Sequence, residues 1–299
     1  MKTITALILT YNESKHLQRC IDSIKPLCSD IVIVDSFSTD NTKDIALDNG
    51  VRFFSNEWVN YAKQFNWGLD NCDISTDLTM RFDADEVMTK SLADEILNEL
   101  RIDDSLDTFF LNRGHVFLNK KMLHGSSFPI KLLRIWKTGN GYCQDKWMDE
   151  HIILRGDNVS KTMKSAFWDH NLNNLTWWVD KHNKYAVREA ADIIIRMERE
   201  VVSSEQVSVK LVFKYKVYEN LPLSLRSLMY FIYRYFFRLG FLDSYQGLVW
   251  HVLQGFWYRF LVDVKVFEII NKSKTDCVSV HDILENDYGI IIDSRIDKI

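Results

Sequence analysis

Asp83 and Asp85 stand two positions apart at the end of the apolar run 78–82, within Arg81-Phe82-Asp83-Ala84-Asp85-Glu86. In extended backbone, side chains two apart point to the same side. Two carboxylates aimed one way repel each other unless a cation sits between them. Hard divalent ions such as Mg²⁺ and Mn²⁺ take carboxylate oxygens together with substrate phosphates. The spacing therefore predicts a platform for a metal–diphosphate. A solvated acidic turn capping the helix that starts near Ser91 is the structural alternative. A second acidic group, Asp149-Glu150-His151, lies beside Trp147. A carboxylate there is a candidate general base, or part of a solvated strand edge. Adjacent acids on a strand face opposite ways, so only one of Asp149 and Glu150 serves. His151 reads as a metal ligand, a general base or a structural side chain. Trp147 reads as a flat wall of a site or as core.

These residues need a scaffold, and the first hundred positions predict one. Residues 3–10 and 31–34 are β-branched apolar runs of the kind that form buried strands, and 51–54 and 78–82 give two more. Between them, apolar residues recur at helical spacing at Leu17, Cys20, Ile21 and Ile24. Further helices fall at 42–49, with Asp40 as cap and Gly50 as stop, and at 61–69. Alternating strands and helices predict an α/β fold, a mostly parallel sheet flanked by helices. Ligands in such sheets sit beyond the carboxyl ends of the strands, where Tyr11–Glu13, Asp35–Ser36 and Asp83–Asp85 all fall. Short strands are expected at 108–111, 132–136 and 151–154. A long helix at 174–199 turns Leu175, Trp178, His182, Tyr185, Val187 and Ala190 inward.

The 299 residues carry a net charge of −4 and few Gly or Pro, which excludes long disordered linkers. Five scattered cysteines without metal-ligand spacing predict reduced thiols and a cytoplasmic location. The N-terminal stretch lacks the features of a signal peptide, and no apolar run is long enough to span a membrane. Acidic balance and the lack of a recognition motif argue against nucleic acid. Yet residues 208–265 hold eight bases and three acids, a local excess of +5. There Arg226, Arg234 and Arg238 alternate with aromatic clusters, followed by Trp250, Phe256, Trp257, Tyr258 and Phe260. The pattern predicts an aromatic–basic helical hairpin over 223–268 lying on an anionic bilayer, or packed on the catalytic domain.

Thr10-Tyr11-Asn12-Glu13, then Val34-Asp35-Ser36-Phe37-Ser38-Thr39-Asp40-Asn41-Thr42, then Asp83-Ala84-Asp85-Glu86 resemble the family 2 glycosyltransferases with the GT-A (Rossmann-like) fold. Bacterial lipopolysaccharide-core and exopolysaccharide enzymes are the nearest in flavour. The likeness covers the first half of the chain. It departs at Leu9-Thr10, where many members carry Pro. It implies an inverting hexosyltransferase that uses a nucleotide-sugar, commonly UDP-linked, and Mn²⁺ or Mg²⁺. By that resemblance Thr10, Tyr11 and Glu13 hold the base and ribose, Asp35 accepts from the base, and Ser36 lies beside it. Lys63 and Gln64 lie near the donor, and Arg81 contacts diphosphate or sugar. Asp83, Ala84 and Asp85 form the metal–donor motif, and Glu150 matches the Glu that serves as base.

The domain plan expected is a catalytic domain at 1–205, with a nucleotide-sugar half at 1–105 and an acceptor half at 106–205. A helical extension at 206–270 and a tail at 271–299 complete it. The function expected is transfer of one sugar to a lipid-linked glycan acceptor at the inner membrane surface, by a peripheral cytoplasmic enzyme of surface-polysaccharide synthesis. Two alternatives remain. A sugar-nucleotide nucleotidyltransferase would show a Gly-rich basic phosphate loop after its first strand, and residues 10–14 are neither. A non-catalytic membrane scaffold would have no need of Asp83, Asp85 and Glu150.

Overall fold

A computed structural model describes residues 1–145, 150–202 and 223–290. By internal contacts the chain divides into two units, Met1–Leu172 and Asn173–Ile299.

In the first unit, β1 (Ile4–Thr10), β2 (Asp30–Asp35), β3 (Arg52–Ser55) and β4 (Leu78–Arg81) form the parallel half of a nine-stranded sheet. The helices α1 (Leu17–Ile24), α2 (Thr42–Asp48), α3 (Tyr61–Asn71) and α4 (Lys90–Ile102) accompany them; α2 and α3 lie within two residues of their predicted spans, and α4 begins one residue before the expected Ser91. Both faces of β1 are covered, because its side chains alternate between two cores. Ile4, Ala6 and Ile8 join Leu17, Ile21 and Ile96 in one, and Leu7 joins Val34, Phe65 and Trp136 in the other. Gly50 ends α2 at φ +68°, a backbone region that costs glycine nothing.

The second half of the sheet is more antiparallel than the sequence pattern implied. β4 pairs antiparallel with β8 (Ile130–Lys137), which pairs antiparallel with β6 (Thr108–Phe117). β6 runs ten residues instead of the four expected and pairs parallel with β11 (Ser160–Asp169), a strand the pattern did not reveal. The two-residue β5 (Glu86–Val87) then pairs antiparallel with the end of β11, Glu86 opposite Asp169. Gly114 on β6 makes room for Trp168 on β11, since a Cβ there would sit 2.4 Å from the indole. β7 (Lys120–Met122) pairs with β6, while β9 (Gly141–Cys143) and β10 (Ile152–Leu154) form a separate ribbon.

The second unit is helical among its described residues. Helix α5 spans Leu175–Val202, and its buried side includes Ala186, Ala190, Ala191 and Ile194. Leu175, expected inward, is exposed at the first turn. The helix Leu223–Ile232 continues as a π-helical turn over Tyr233–Phe237. The basic face expected from Arg226, Arg234 and Arg238 is not formed. Arg226 turns inward, its Nε donating to Asp263 Oδ2 at 2.6 Å and its Nη2 paired with Oδ1, and Arg234 is buried. A buried aspartate at position 263 has to be neutralised, and Arg226 does it. The faces that stay exposed are apolar: Leu225, Leu228, Met229, Ile232, Tyr233 and Phe236 follow helical spacing, and Phe237, Phe241, Leu242 and Tyr245 extend them. Among the described residues no helix is long and apolar enough to cross a membrane.

His251 is wholly buried, with neither ring nitrogen hydrogen-bonded. Burial, then the nearby Arg234, pushes its pKa down to about 4, against the pull of Asp243. An unfolded imidazole titrates near pH 6.5, so between about 6.5 and 4 the unfolded chain binds the extra proton and stability falls with pH. Denaturant unfolding should show the wild type losing about 2–3 kcal/mol more than His251→Leu between pH 7 and 4.5. Equal losses would remove His251 from the account.

Candidate active site

The polar clusters at the strand ends come together because β1, β2 and β4 run parallel and in register. Thr10 lies opposite Asp35, and Leu7 opposite Arg81, which puts residues 82–85 beside the end of β1. Asp35 is 2% exposed. Its Oδ2 accepts from the Thr10 hydroxyl at 2.7 Å and the Ser38 hydroxyl at 2.5 Å, and its Oδ1 accepts from the Ser38 N–H at 2.7 Å. This aspartate therefore shapes the 36–40 loop and presents little carboxylate to solvent.

That loop is joined to the loop after β1. Asn12 N–H donates to Ser38 Oγ at 2.7 Å, and Thr39 N–H donates to Asn12 Oδ1 at 2.8 Å. Glu13 N–H donates to Thr42 Oγ1, and the Glu13 carboxylate meets His16 Nδ1 at 2.6 Å. Leu172 N–H donates to the other ring nitrogen of His16, so the proton sits on Nδ1 and points at Glu13. Tyr11 is left 59% exposed and Phe37 62% exposed on the joined loops. Two open rings at a ligand-binding strand end offer stacking surface to a flat base. Phe37 was quoted only as part of a motif. Its positive φ of 60°, unusual for a bulky residue, was not readable in advance. Gln64 is buried and ties the loops together, donating to Ser36 Oγ and Asn56 O at 3.1 Å each. Lys63, its neighbour in the first turn of α3, is exposed.

Beyond β4 the chain is not extended as the spacing predicts: it turns over Asp83–Glu86, with Glu86 N–H donating to Asp83 O at 3.0 Å, yet burial still alternates. Phe82, Ala84 and Glu86 are buried, while Asp83 and Asp85 are partly exposed. Asp83 Oδ1 accepts from Tyr61 Oη at 2.7 Å and lies 3.9 Å from Arg81 Nε, and its Oδ2 lies 3.7 Å from Arg134 Nη2. Burial alone would raise the Asp83 pKa, but Arg134 and Arg81 outweigh it and hold the carboxyl below its ordinary value. Asp85 Oδ2 accepts from Asn171 Nδ2 at 2.9 Å, and its carbonyl accepts from His170 N–H.

Arg134 and Glu86 are the residues sequence reasoning missed. They form a buried pair at 2.6 Å, and Glu86 Oε2 also accepts from Asp83 N–H at 2.9 Å. Burial pushes the Glu86 carboxyl well up, against the pull of Arg134. Arg81 points the other way along the site. Its guanidinium lies 4.2 Å over the Tyr61 ring, and Nη1 donates to Glu150 O at 3.1 Å. One side chain thus links the Asp83 end to the segment that carries Glu150. Asp149 and Trp147 lie outside the described residues. His151 is exposed at the start of β10. Among the described residues no three His, Cys, Asp or Glu side chains gather as a metal-holding group, so His151 does not join Asp83 and Asp85. The hard carboxylate oxygens of that pair fit a cation whose remaining ligands are phosphate and water.

Removing one partner of the buried pair leaves the other buried without its short polar contact. Arg134→Met should cost about 3–5 kcal/mol in denaturant unfolding, and adding Glu86→Met should recover much of it. Equal loss in single and double variants would mean that packing, not charge, sets the cost.

Three comparisons bear on this geometry. Residues 5–156 match the model of glycosyl transferase family 2. An uncharacterized glycosyltransferase of Rickettsia typhi is 24% identical over the whole chain and 97% of its own length. The lipopolysaccharide core biosynthesis glycosyltransferase LpsC of Rhizobium meliloti is 28% identical, covering 62% of this chain and 70% of that one. Among solved structures, glucosyl-3-phosphoglycerate synthase from Mycobacterium tuberculosis, in complex with Mn²⁺, UDP and phosphoglyceric acid, matches 38% of this chain and 43% of that chain. Its sequence identity is 21% and its TM-score 0.32. The family match spans half the chain and holds all three strand-end clusters: the chain belongs to glycosyl transferase family 2 and is a sugar-transferring enzyme.

Proposed function

We propose that the protein is an inverting glycosyltransferase that moves one sugar from a UDP-sugar to a lipid-linked glycan acceptor of a bacterial surface polysaccharide. The observation that carries the donor half is the meeting of the Thr10–Asp35 loops with Asp83 and Asp85 at the carboxyl ends of neighbouring central strands. Tyr11 and Phe37 take the base, with Thr10, Glu13 and Ser36 shaping the loops around it. Lys63 faces the donor, and Gln64 keeps its loop in place. Asp83 and Asp85 hold Mn²⁺ or Mg²⁺, which offsets charge on the leaving diphosphate. Arg81 adds positive charge beside them.

Glu150 accepts the proton of the acceptor hydroxyl. As that oxygen bonds to the anomeric carbon, the bond to the diphosphate breaks and the electron pair leaves with the phosphate. Asp149 is the neighbouring candidate for the same proton. The likeness to a lipopolysaccharide core enzyme supports a glycan acceptor.

The apolar face of the second unit supports a membrane-bound acceptor. Both aspartates between Leu225 and Lys265, Asp243 and Asp263, are buried, while Arg238 and Arg259 are exposed. Arg259 is paired with Glu189, and Lys265 with the exposed Glu268, so the feature that suits a bilayer interface is the exposed face of Leu, Met, Phe and Tyr. With Arg226 and Arg234 turned inward, apolar insertion contributes more than charge.

Asp85→Ala should weaken Mn²⁺-dependent UDP binding at least tenfold, about 1.4 kcal/mol, in calorimetry. Glu150→Gln should keep that binding and lower turnover by roughly 10². If Glu150→Gln turns over normally, the base lies elsewhere. Replacing the exposed Phe236 and Phe237 together by Ser should lower partitioning onto anionic vesicles roughly tenfold, with a weaker response to salt. A wild type that does not sediment with vesicles would remove the bilayer from the proposal.

A further inference from the structure

Asp83 is held from two directions by residues that neither the family match nor the sequence spacing assigns. Tyr61 opens α3 and donates its hydroxyl to Asp83 Oδ1 at 2.7 Å. Arg134 projects from β8 and brings Nη2 to 3.7 Å from Oδ2. Each is itself fixed. The Tyr61 ring stacks on Phe65 at 6.1 Å between centroids and lies under the Arg81 guanidinium. Arg134 is bonded to Glu86, and its Nη1 reaches Arg81 O at 3.4 Å. We propose that Tyr61 and Arg134 are positioning residues for the donor site. The Tyr61 hydrogen bond holds one oxygen and the Arg134 charge, 3.7 Å away, draws the other, so the rotation of the Asp83 carboxylate is set before nucleotide and cation arrive. The inference rests on the reading that Asp83 meets the cation–diphosphate.

The physical argument is one of freedom. An aspartate on a turn has a loosely defined terminal rotation. A ligating carboxylate works best when outer partners restrict it, and loss of such partners typically lowers metal affinity 10–100-fold. The Tyr61 hydroxyl is part-buried, and its position is over-determined by two ring contacts, so its removal changes one hydrogen bond and little packing.

The test is a double-mutant cycle on Mn²⁺-dependent UDP affinity, read by calorimetry, with Tyr61→Phe, Asp83→Asn and the pair. Tyr61→Phe should weaken affinity about tenfold in the wild-type background and less than about twofold when Asp83→Asn is present. UDP affinity measured without cation should not change. Arg134→Lys, which keeps the charge and loses the planar fork, should fall between wild type and Tyr61→Phe. Full affinity in Tyr61→Phe, or a loss that simply adds to that of Asp83→Asn, overturns the positioning role while leaving Asp83 at the donor. An Asp83→Asn variant with unchanged affinity overturns both, because Asp83 then meets neither cation nor diphosphate.

Discussion

A carboxylate at the end of a central strand keeps its charge only if cations stand beside it, and the strand ends of the first unit are built around meeting that condition at Asp83. Burial works against ionisation there, and Arg134 and Arg81 outweigh it. Arg134 is itself buried and needs Glu86 as its counterion. Glu86 in turn accepts the Asp83 N–H, which closes the turn that sets the Asp-Ala-Asp spacing. The antiparallel β8 and the short β5 deliver Arg134 and Glu86, so the departure from a parallel sheet is what equips the site.

Arg81 joins the two halves of the chemistry. Its guanidinium stands against Asp83 on one side and holds the Glu150 carbonyl on the other. In the proposed reaction, leaving-group stabilisation and proton removal act on the same anomeric carbon, so an anchor shared by Asp83 and the Glu150 segment has mechanistic value. In the other unit, π-helical turns at Tyr233–Phe237 and His251–Trp257 accompany a buried Arg234 and His251. The inward turn of these polar groups leaves the aromatic side chains as the outer surface.

The four parallel strands and the helices between them were legible because each is written locally, as an apolar run or a helical repeat, whereas the two-residue β5 was not. Asp83 and Asp85 were expected on extended backbone; they sit instead on a turn after β4, closed by Glu86 N–H to Asp83 O at 3.0 Å, which local strand spacing did not reveal. What could not be read were long-range partnerships. Arg134 looks like one base in the strand Lys131-Leu132-Leu133-Arg134, and nothing nearby points to Glu86 across 48 positions. Strand β11 begins Ser160-Lys161-Thr162 and carries too few apolar residues to stand out. The arginines of the second unit misled for the same reason. Their helical spacing was real, but Asp263, which captures Arg226, lies 37 residues on. Asp35, a candidate for base recognition, proves to be occupied by Thr10 and Ser38, a turn chemistry that its neighbours hint at without fixing.

The central claim is that the strand end at Asp83 and Asp85 receives a nucleotide diphosphate together with a divalent cation. Anomalous diffraction at the manganese edge, from crystals grown with UDP and Mn²⁺, tests it most directly. The account predicts one strong peak about 2.0–2.2 Å from a carboxylate oxygen of the pair, with diphosphate oxygens completing the shell. Bound UDP with no manganese at that strand end, or a peak held by other residues, would contradict it.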